Sequence, residues 1–275
     1  MKVFSKISEV TEWRKLTNQQ TVSLIPTMGA LHQGHGFLIE EAKKNSDLII
    51  VYIFPNPLQF SKNEDFDEYP SLLPGALEKD IEFCRKQGID AVFAPKVEEI
   101  YPNGIKKITT VEPNPQLLNC LCGKARPGHF QGVLTVLLKF FNFIQPNKAF
   151  FGEKDYQQFL LVKQMIYDFN LHIEILPVKI RRESSGLALS SRNKYLSDEQ
   201  KIQSAEIHQT LEEAKSLILQ GKPASKIVKE LNKDYFEYFE ARDSETLEKK
   251  DKLPLRLFIA ARIGKARLID NIVVE

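Results

Sequence analysis

Three cysteines in 275 residues, Cys84, Cys120 and Cys122, cannot form an even disulfide framework, so the chain relies on its own core and reads as a cytoplasmic protein. No apolar run approaches the ~20 residues that a bilayer span needs. The two strongest, 48–54 and 133–144, are far shorter, and Lys139 and Asn142 interrupt the second. The opening MKVFSKISEVTEWRK lacks the apolar stretch of a secretory signal, which points to the same compartment. No block of Lys or Arg is dense enough to track a nucleic-acid backbone, and 38 Lys+Arg against 36 Asp+Glu leave a net charge of only +2. Neither nucleic acid nor a membrane is therefore an expected partner. Internal repeats and low-complexity segments are lacking too. What remains is a globular composition, 43% apolar and 27% charged, and at this length roughly 73% of the extended chain's surface leaves water on folding.

Apolar runs and breakers predict a buried strand at 21–25, a Gly/Pro loop at 26–34, a helix at 37–44 and a second continuous apolar strand at 48–54. Strand, helix and strand of this kind describe a right-handed crossover in a parallel sheet covered on both faces. The pattern recurs, with helices predicted over 76–87, 132–144 and 155–169 and strands over 90–94, 148–151 and 173–178. Residues 1–178 thus read as a Rossmann-like, doubly wound α/β domain. Beyond Ser197 the texture changes, because residues 198–252 carry 13 acidic and 10 basic side chains. Apolar spacing there predicts two surface helices, over 202–219 and 227–239, and 255–262 with 266–270 read as two strands joined around Gly264. A smaller α+β C-terminal domain over 179–275 is the expectation. The acidic excess of 198–252 leaves the rest of the chain net positive, which mildly favours an anionic ligand there.

The most informative stretch is Pro26-Thr-Met-Gly-Ala-Leu-His32-Gln-Gly-His35, which follows the first of these strands and opens a helix. Backbone amides and the positive helix end make that place suited to phosphate. Gly34 lets the chain approach a nucleotide closely, and His32 and His35 can both donate to one polyphosphate. Helix capping by the histidines and a two-histidine metal site are the alternatives. Phe151-Gly-Glu-Lys154-Asp155 follows a predicted strand and suits a phosphate-facing ammonium beside an acceptor for the nucleoside, against the alternative of a solvated Lys/Asp pair. Gln59 and Gln158 are neutral amides able to hold a hydroxy acid, although either, taken alone, is more often a plain surface residue. Ser190-Ser191-Arg192 offers two hydroxyls and a guanidinium to departing phosphates, or a polar turn before the helix near Ser197. Cys120-x-Cys122 with His129 offers three soft ligands, but no fourth at zinc spacing, and reads as reduced thiols.

PTMGALHQGH resembles the HxGH signature of the nucleotidyltransferase superfamily, and its PTMGALH preface resembles the pantoate:β-alanine ligase family. Ile53-Phe-Pro-Asn-Pro-Leu-Gln-Phe60, Tyr69-Pro70, Arg126-Pro-Gly-His-Phe130, Phe151-Gly-Glu-Lys-Asp-Tyr-Gln-Gln158, Gly186-Leu-Ala-Leu-Ser-Ser-Arg-Asn193 and Ala266-Arg-Leu-Ile-Asp-Asn271 resemble the same family in the same order. The resemblance implies that pantoate attacks ATP to give pantoyl adenylate and pyrophosphate, and that β-alanine then gives pantothenate and AMP. It implies His35, His32 and Lys154 as catalytic groups. ATP would be bound by Met28, Gly34, His35, Gly152, Lys154, Asp155, Leu189, Ser190, Ser191 and Arg192. Pantoate would be held by Pro26, Met28, Gln59, Phe60 and Gln158, with Asn56, Tyr69, Arg126 and His129 near β-alanine or in the wall. Magnesium as a companion of ATP, a homodimer and a C-terminal lid also follow from the resemblance. The chain departs from the family pattern at several points. Gly75 and Ala76 stand at the usual acidic pair, leaving the metal ligand to Glu78, Asp80 or the ATP phosphates themselves. Cys122 replaces a Glu and Ser185 an Asp. Two rival functions are open at this stage: a related transferase that builds a dinucleotide, and a nucleotide sensor without catalysis.

Overall fold

The computed structural model describes residues 1–60, 66 and 69–275. These fall into two compact units, one of Met1–Pro113, Arg126–Gly152 and Leu161–Val178, the other of Asn114–Ala125, Glu153–Leu160 and Lys179–Glu275.

In the first unit the chain forms β1 (Lys2–Phe4), α1 (Ile7–Leu16), β2 (Val22–Thr27), α2 (Gln33–Asn45), β3 (Leu48–Ile53), α3 (Ala76–Lys86), β4 (Ala91–Phe93) and a short α4 (Val97–Ile100). After α5 (Pro115–Leu118) and α6 (Leu121–Ala125), which belong to the second unit, it continues with α7 (His129–Ile144), β5 (Lys148–Gly152), α8 (Tyr156–Asp168), whose first turn belongs to the second unit, and β6 (Glu174–Val178). The six strands make one parallel sheet in the order β1-β4-β3-β2-β5-β6. From β2 the chain lays β3 and β4 on one side, then returns to lay β5 and β6 on the other. The order therefore reverses between β2 and β5, the place where open α/β sheets bind ligands. β2 pairs with β3 through Thr27 but with β5 only at Ser23 and Leu24, so the two central strands part toward their carboxyl ends.

Continuous apolar strands arise because both sheet faces are covered. On one face Ile49, Val51 and Ile53 of β3 join Ile39 and Ala42 of α2 and Cys84 of α3. Burial pushes the Cys84 thiol up to about 12, with the nearby Asp80 charge adding to the effect. On the other face Tyr52 stacks on Phe140 of α7 at 4.0 Å between ring centres, and Phe54 and Phe93 lie 5.9 and 5.7 Å from the same ring. α7 is apolar nearly all round because it is a core helix. β1 and α1 carry no strong apolar run, and the sequence pattern does not foretell them.

The second unit contains α9 (Asp198–Leu219), α10 (Ala224–Glu230), β7 (Phe236–Arg242), β8 (Leu255–Ile263) and β9 (Ala266–Val274), with an antiparallel sheet in the order β7-β8-β9. Ser197 and Gln200 cap α9 reciprocally, at 3.2 and 3.0 Å. Ile207, Leu211 and Ile218 of α9 belong to one core with Leu257, Ile259 and Leu268. The helix expected over 227–239 is corrected: α10 ends at Glu230 and Phe236–Arg242 is a strand. Phe236, Phe239 and Ala241 are buried there. In the sequence this aromatic-rich, period-2 portion runs on from the helical apolar pattern of Ile227, Val228 and Leu231, and Asn232 and Asp234 are the breakers that separate the two.

Candidate active site

Past the end of β2 the backbone takes two successive left-handed residues, Gly29 (φ +81°) and Ala30 (φ +53°). A side chain at position 29 would meet Ser71 and Asp80 at 2.6 and 2.8 Å, so glycine is required there. This turn is held by Asp80 of α3, which is 4% exposed and whose two carboxylate oxygens accept from the amides of Ala30 (2.8 Å) and Leu31 (2.7 Å). Asp80 is thus engaged with the loop, a role that one isolated acidic residue in the sequence does not announce.

The loop delivers the chain to α2, whose start is capped by its own histidines. His32 Nδ1 accepts from the Gly34 amide at 3.0 Å, and His35 Nδ1 accepts from the His32 amide at 3.2 Å. A ring nitrogen that accepts bears no hydrogen, so each neutral imidazole carries its proton on Nε2. The rings lie 4.3 Å apart, centre to centre. Helix capping, one of the alternatives in the sequence, is what the Nδ1 atoms of both rings do here.

Gln59 stands on a one-turn helix, Pro57–Gln59, that follows β3, and is 7% exposed. Its Nε2 lies 2.8 Å from Met28 Sδ, and its Oε1 accepts from Asn56 at 3.2 Å. Asn56 also donates to the Gly132 carbonyl (3.1 Å) and accepts from Tyr101 Oη (2.8 Å). Arg126 Nη1 faces His129 Nε2 at 2.8 Å, and His129 Nδ1 faces the Gln59 carbonyl at 2.8 Å. A guanidinium only donates, so His129 accepts at Nε2 and donates from Nδ1 to Gln59. Gly132 completes this support: an added Cβ would sit 2.5 Å from the Leu58 carbonyl and 2.7 Å from the Gln59 amide. Phe60 packs on Phe66 and Tyr69 at 5.0 and 5.6 Å. The first unit therefore brings Met28, Asn56, Gln59, Arg126 and His129 together past the ends of β2 and β3, with Phe60 against Tyr69, while Pro26 lies within β2 and the histidines open α2. Gly152 ends β5.

The second unit holds the other predicted group. Glu153–Asp155 form a tight turn before α8, where Lys154 Nζ lies 3.3 Å from Asp155 Oδ2. Gln158 is half-buried, whereas its neighbour Gln157 is buried and ties α5 and α6 together through the carbonyls of Leu117 and Cys120 and the Gly123 amide. Leu189 closes a small hairpin onto Arg181, and Ser190 caps the turn Ser191–Tyr195 by accepting from the Arg192 amide at 3.3 Å. Arg192 is half-buried. Both the turn-capping and the phosphate reading of this segment are compatible with that arrangement.

Gly75 is the left-handed residue that starts α3 and brings no side chain, and Ala76 brings a methyl. Among the described residues no three His, Cys, Asp or Glu side chains cluster so as to hold a metal. Cys120 Sγ donates to the Leu117 carbonyl at 3.6 Å, while Cys122 Sγ meets Tyr238 Oη at 3.2 Å and Arg267 Nη1 at 3.3 Å. Among the described residues no helix is long and apolar enough to cross a membrane.

Comparison with known proteins identifies the family of the chain. The family model described as pantoate-beta-alanine ligase matches residues 2–273. Pantothenate synthetase of Aquifex aeolicus is 42% identical, over 98% of this chain and 97% of that one. The crystal structure of pantothenate synthetase from Thermus thermophilus superposes with a TM-score of 0.92 at 37% identity, covering 100% of this chain and 99% of that chain. A pantoate-beta-alanine ligase from Francisella tularensis, complexed with beta-gamma ATP and beta-alanine, gives 0.82 at 36% identity, over 99% and 97% of the two chains. With the family model spanning nearly its whole length, the chain belongs to the pantoate–β-alanine ligase family.

Proposed function

We propose that the protein condenses pantoate with β-alanine at the expense of ATP, giving pantothenate, AMP and pyrophosphate through a pantoyl adenylate. The observation that carries this reading is the imidazole pair at the start of α2, each ring with its proton on Nε2. In the first step a pantoate carboxylate oxygen attacks the α-phosphorus and pyrophosphate departs, so negative charge grows on the phosphate oxygens. Two imidazole N–H donors and the positive helix end would lower the energy of that charge. Lys154 adds an ammonium, Gly34, Gly152 and Asp155 flank the nucleoside, and Leu189, Ser190, Ser191 and Arg192 grip the leaving phosphates, with residues 179–275 acting as a lid.

Gln59 and Gln158 hold the hydroxyl and carboxylate of pantoate, and Pro26, Met28 and Phe60 wall its dimethyl carbon. Asn56, Tyr69, Arg126 and His129 serve this pocket by fixing Gln59 and Phe60, the role their contacts support. In the second step the β-alanine amine attacks the acyl carbon, the anhydride C–O bond breaks, and AMP leaves with that oxygen while the amine gives up a proton. No group of three His, Cys, Asp or Glu side chains among the described residues is placed to hold magnesium, so the ion would be held by the phosphates of ATP and by water, where it would neutralise phosphate charge. The ATP and β-alanine in the Francisella ligase complex support the same substrates here. A cytoplasmic homodimer belongs to the same reading.

His35→Ala tests it: pyrophosphate release from ATP plus pantoate is expected to vanish, while stability falls by no more than a helix cap is worth, about 1 kcal/mol. Near-normal release contradicts the assigned role. Pantoate labelled with 18O in its carboxylate is expected to pass one label to AMP, and unlabelled AMP contradicts the adenylate.

A further inference from the structure

The Asp270-Asn271 pair on β9, part of a motif that the reaction above leaves without a task, is built into the second unit as a buried bracket. Asn271 is 2% exposed. Its Nδ2 donates to two successive carbonyls, Glu153 at 2.8 Å and Lys154 at 3.2 Å. Those carbonyls belong to the peptide planes on either side of the Lys154 Cα. Holding both planes fixes the backbone dihedrals of Lys154 and with them the direction in which its side chain departs. The remaining Asn271 oxygen accepts from Arg256 Nη1 at 2.6 Å, and the Arg256 guanidinium lies 3.7 Å over the ring of Tyr156 and 3.6 Å from the Glu153 carboxylate. Asp270, 4% exposed, accepts from the Asn271 amide at 2.8 Å and pairs with both terminal nitrogens of Arg182. Arg182 bridges to Ala188 across the small hairpin that leads into Ser190–Arg192 and donates to the Gly186 carbonyl at 3.1 Å.

We infer that Asp270 and Asn271 are positioning residues for the phosphate-handling cations: Asn271 aims Lys154, and Asp270 anchors the root of the segment carrying Arg192. This rests on the reading that Lys154 acts on the ATP phosphates. Both cations are thereby tied to one dipeptide of a strand paired along its whole length with β8, rather than depending on their own loops alone. The bracket consists of contacts to backbone and to the guanidinium groups of Arg256 and Arg182.

Asn271→Asp is the clean perturbation, because it keeps the shape and the Arg256 contact but turns the double donor into an acceptor facing two carbonyls. Pyrophosphate release is expected to slow about a hundredfold, the loss that misplacement by ~1 Å produces. In a Lys154→Ala background the same change is expected to cost less than about threefold, since nothing remains to aim. A full hundredfold loss in both backgrounds marks Asn271 as merely structural and overturns the inference, as does an unchanged rate in Asn271→Asp alone. A normal rate in Lys154→Ala by itself sinks the underlying reading of Lys154, and the inference with it. Unfolding midpoints report whether each variant folds. Should Asn271→Asp not fold, Asn271→Ser, which sets no charge against the carbonyls, serves in the same cycle.

Discussion

Gly132→Ala is the substitution that most directly tests how Gln59 is held. The added methyl would meet the Leu58 carbonyl carbon and oxygen at 2.5 Å and the Gln59 nitrogen at 2.7 Å. Normal carbon contact begins near ~3.5 Å, so α7 and the Pro57–Gln59 turn must separate by about 1 Å. Both neighbours are backbone, so no side-chain rotation relieves the clash. Separation stretches the Asn56–Gly132 and His129–Gln59 hydrogen bonds, now 3.1 and 2.8 Å, and shifts the Gln59 amide. Overpacking of this kind costs about 1–3 kcal/mol, offset by up to ~1 kcal/mol of helix propensity gained on replacing glycine. A net loss of about 1–2 kcal/mol is expected in urea unfolding, with pantoate-dependent pyrophosphate release down about a hundredfold. ATP binding measured by calorimetry without pantoate is expected to stay within about threefold, because the histidine loop lies on other elements. A variant with wild-type pantoate kinetics refutes the claim that this close approach sets the pocket.

Two other measurements probe features outside the pocket. Asp80→Asn points an amide hydrogen at one of two loop amides and is expected to destabilise the protein by about 1–3 kcal/mol while slowing adenylation; an unchanged unfolding midpoint would show that the Gly29–Ala30 turn holds itself. His208 lies under Gly186, and burial, followed by the charge of Arg182, lowers its pKa below the ordinary 6.5. The unfolded chain therefore binds the proton more readily, so the His208 contribution is intact above pH ~6.5 and is lost as pH falls toward the lowered value. Melting temperatures of His208→Gln across pH 5–8 are expected to flatten that decline, and an identical slope in both proteins would dismiss it.

The parallel-sheet half was legible because its strands are covered on both faces and announce themselves as unbroken apolar runs, as 48–54 does. Phe236–Arg242 was not, since a half-buried antiparallel strand carries polar residues that blend into a charged stretch. The candidate site divides in the same way. His32, His35 and Lys154 sit in glycine-bearing turns next to strands, which is why the sequence marks them as candidates to meet phosphate. Nothing local to Asp80, Gly132 or Asn271 tells that each meets backbone far away in sequence, because that knowledge lies in tertiary approach rather than in spacing.

The early parting of β2 from β5 also bears on the sheet itself. The paired register between them runs only over Ser23 and Leu24, and Pro26 contributes no amide hydrogen that would be stranded by the gap. Widening or narrowing of the space past that register therefore breaks no rung of the ladder, so the two halves of the sheet can accommodate change there at little cost to the hydrogen bonding that holds them together.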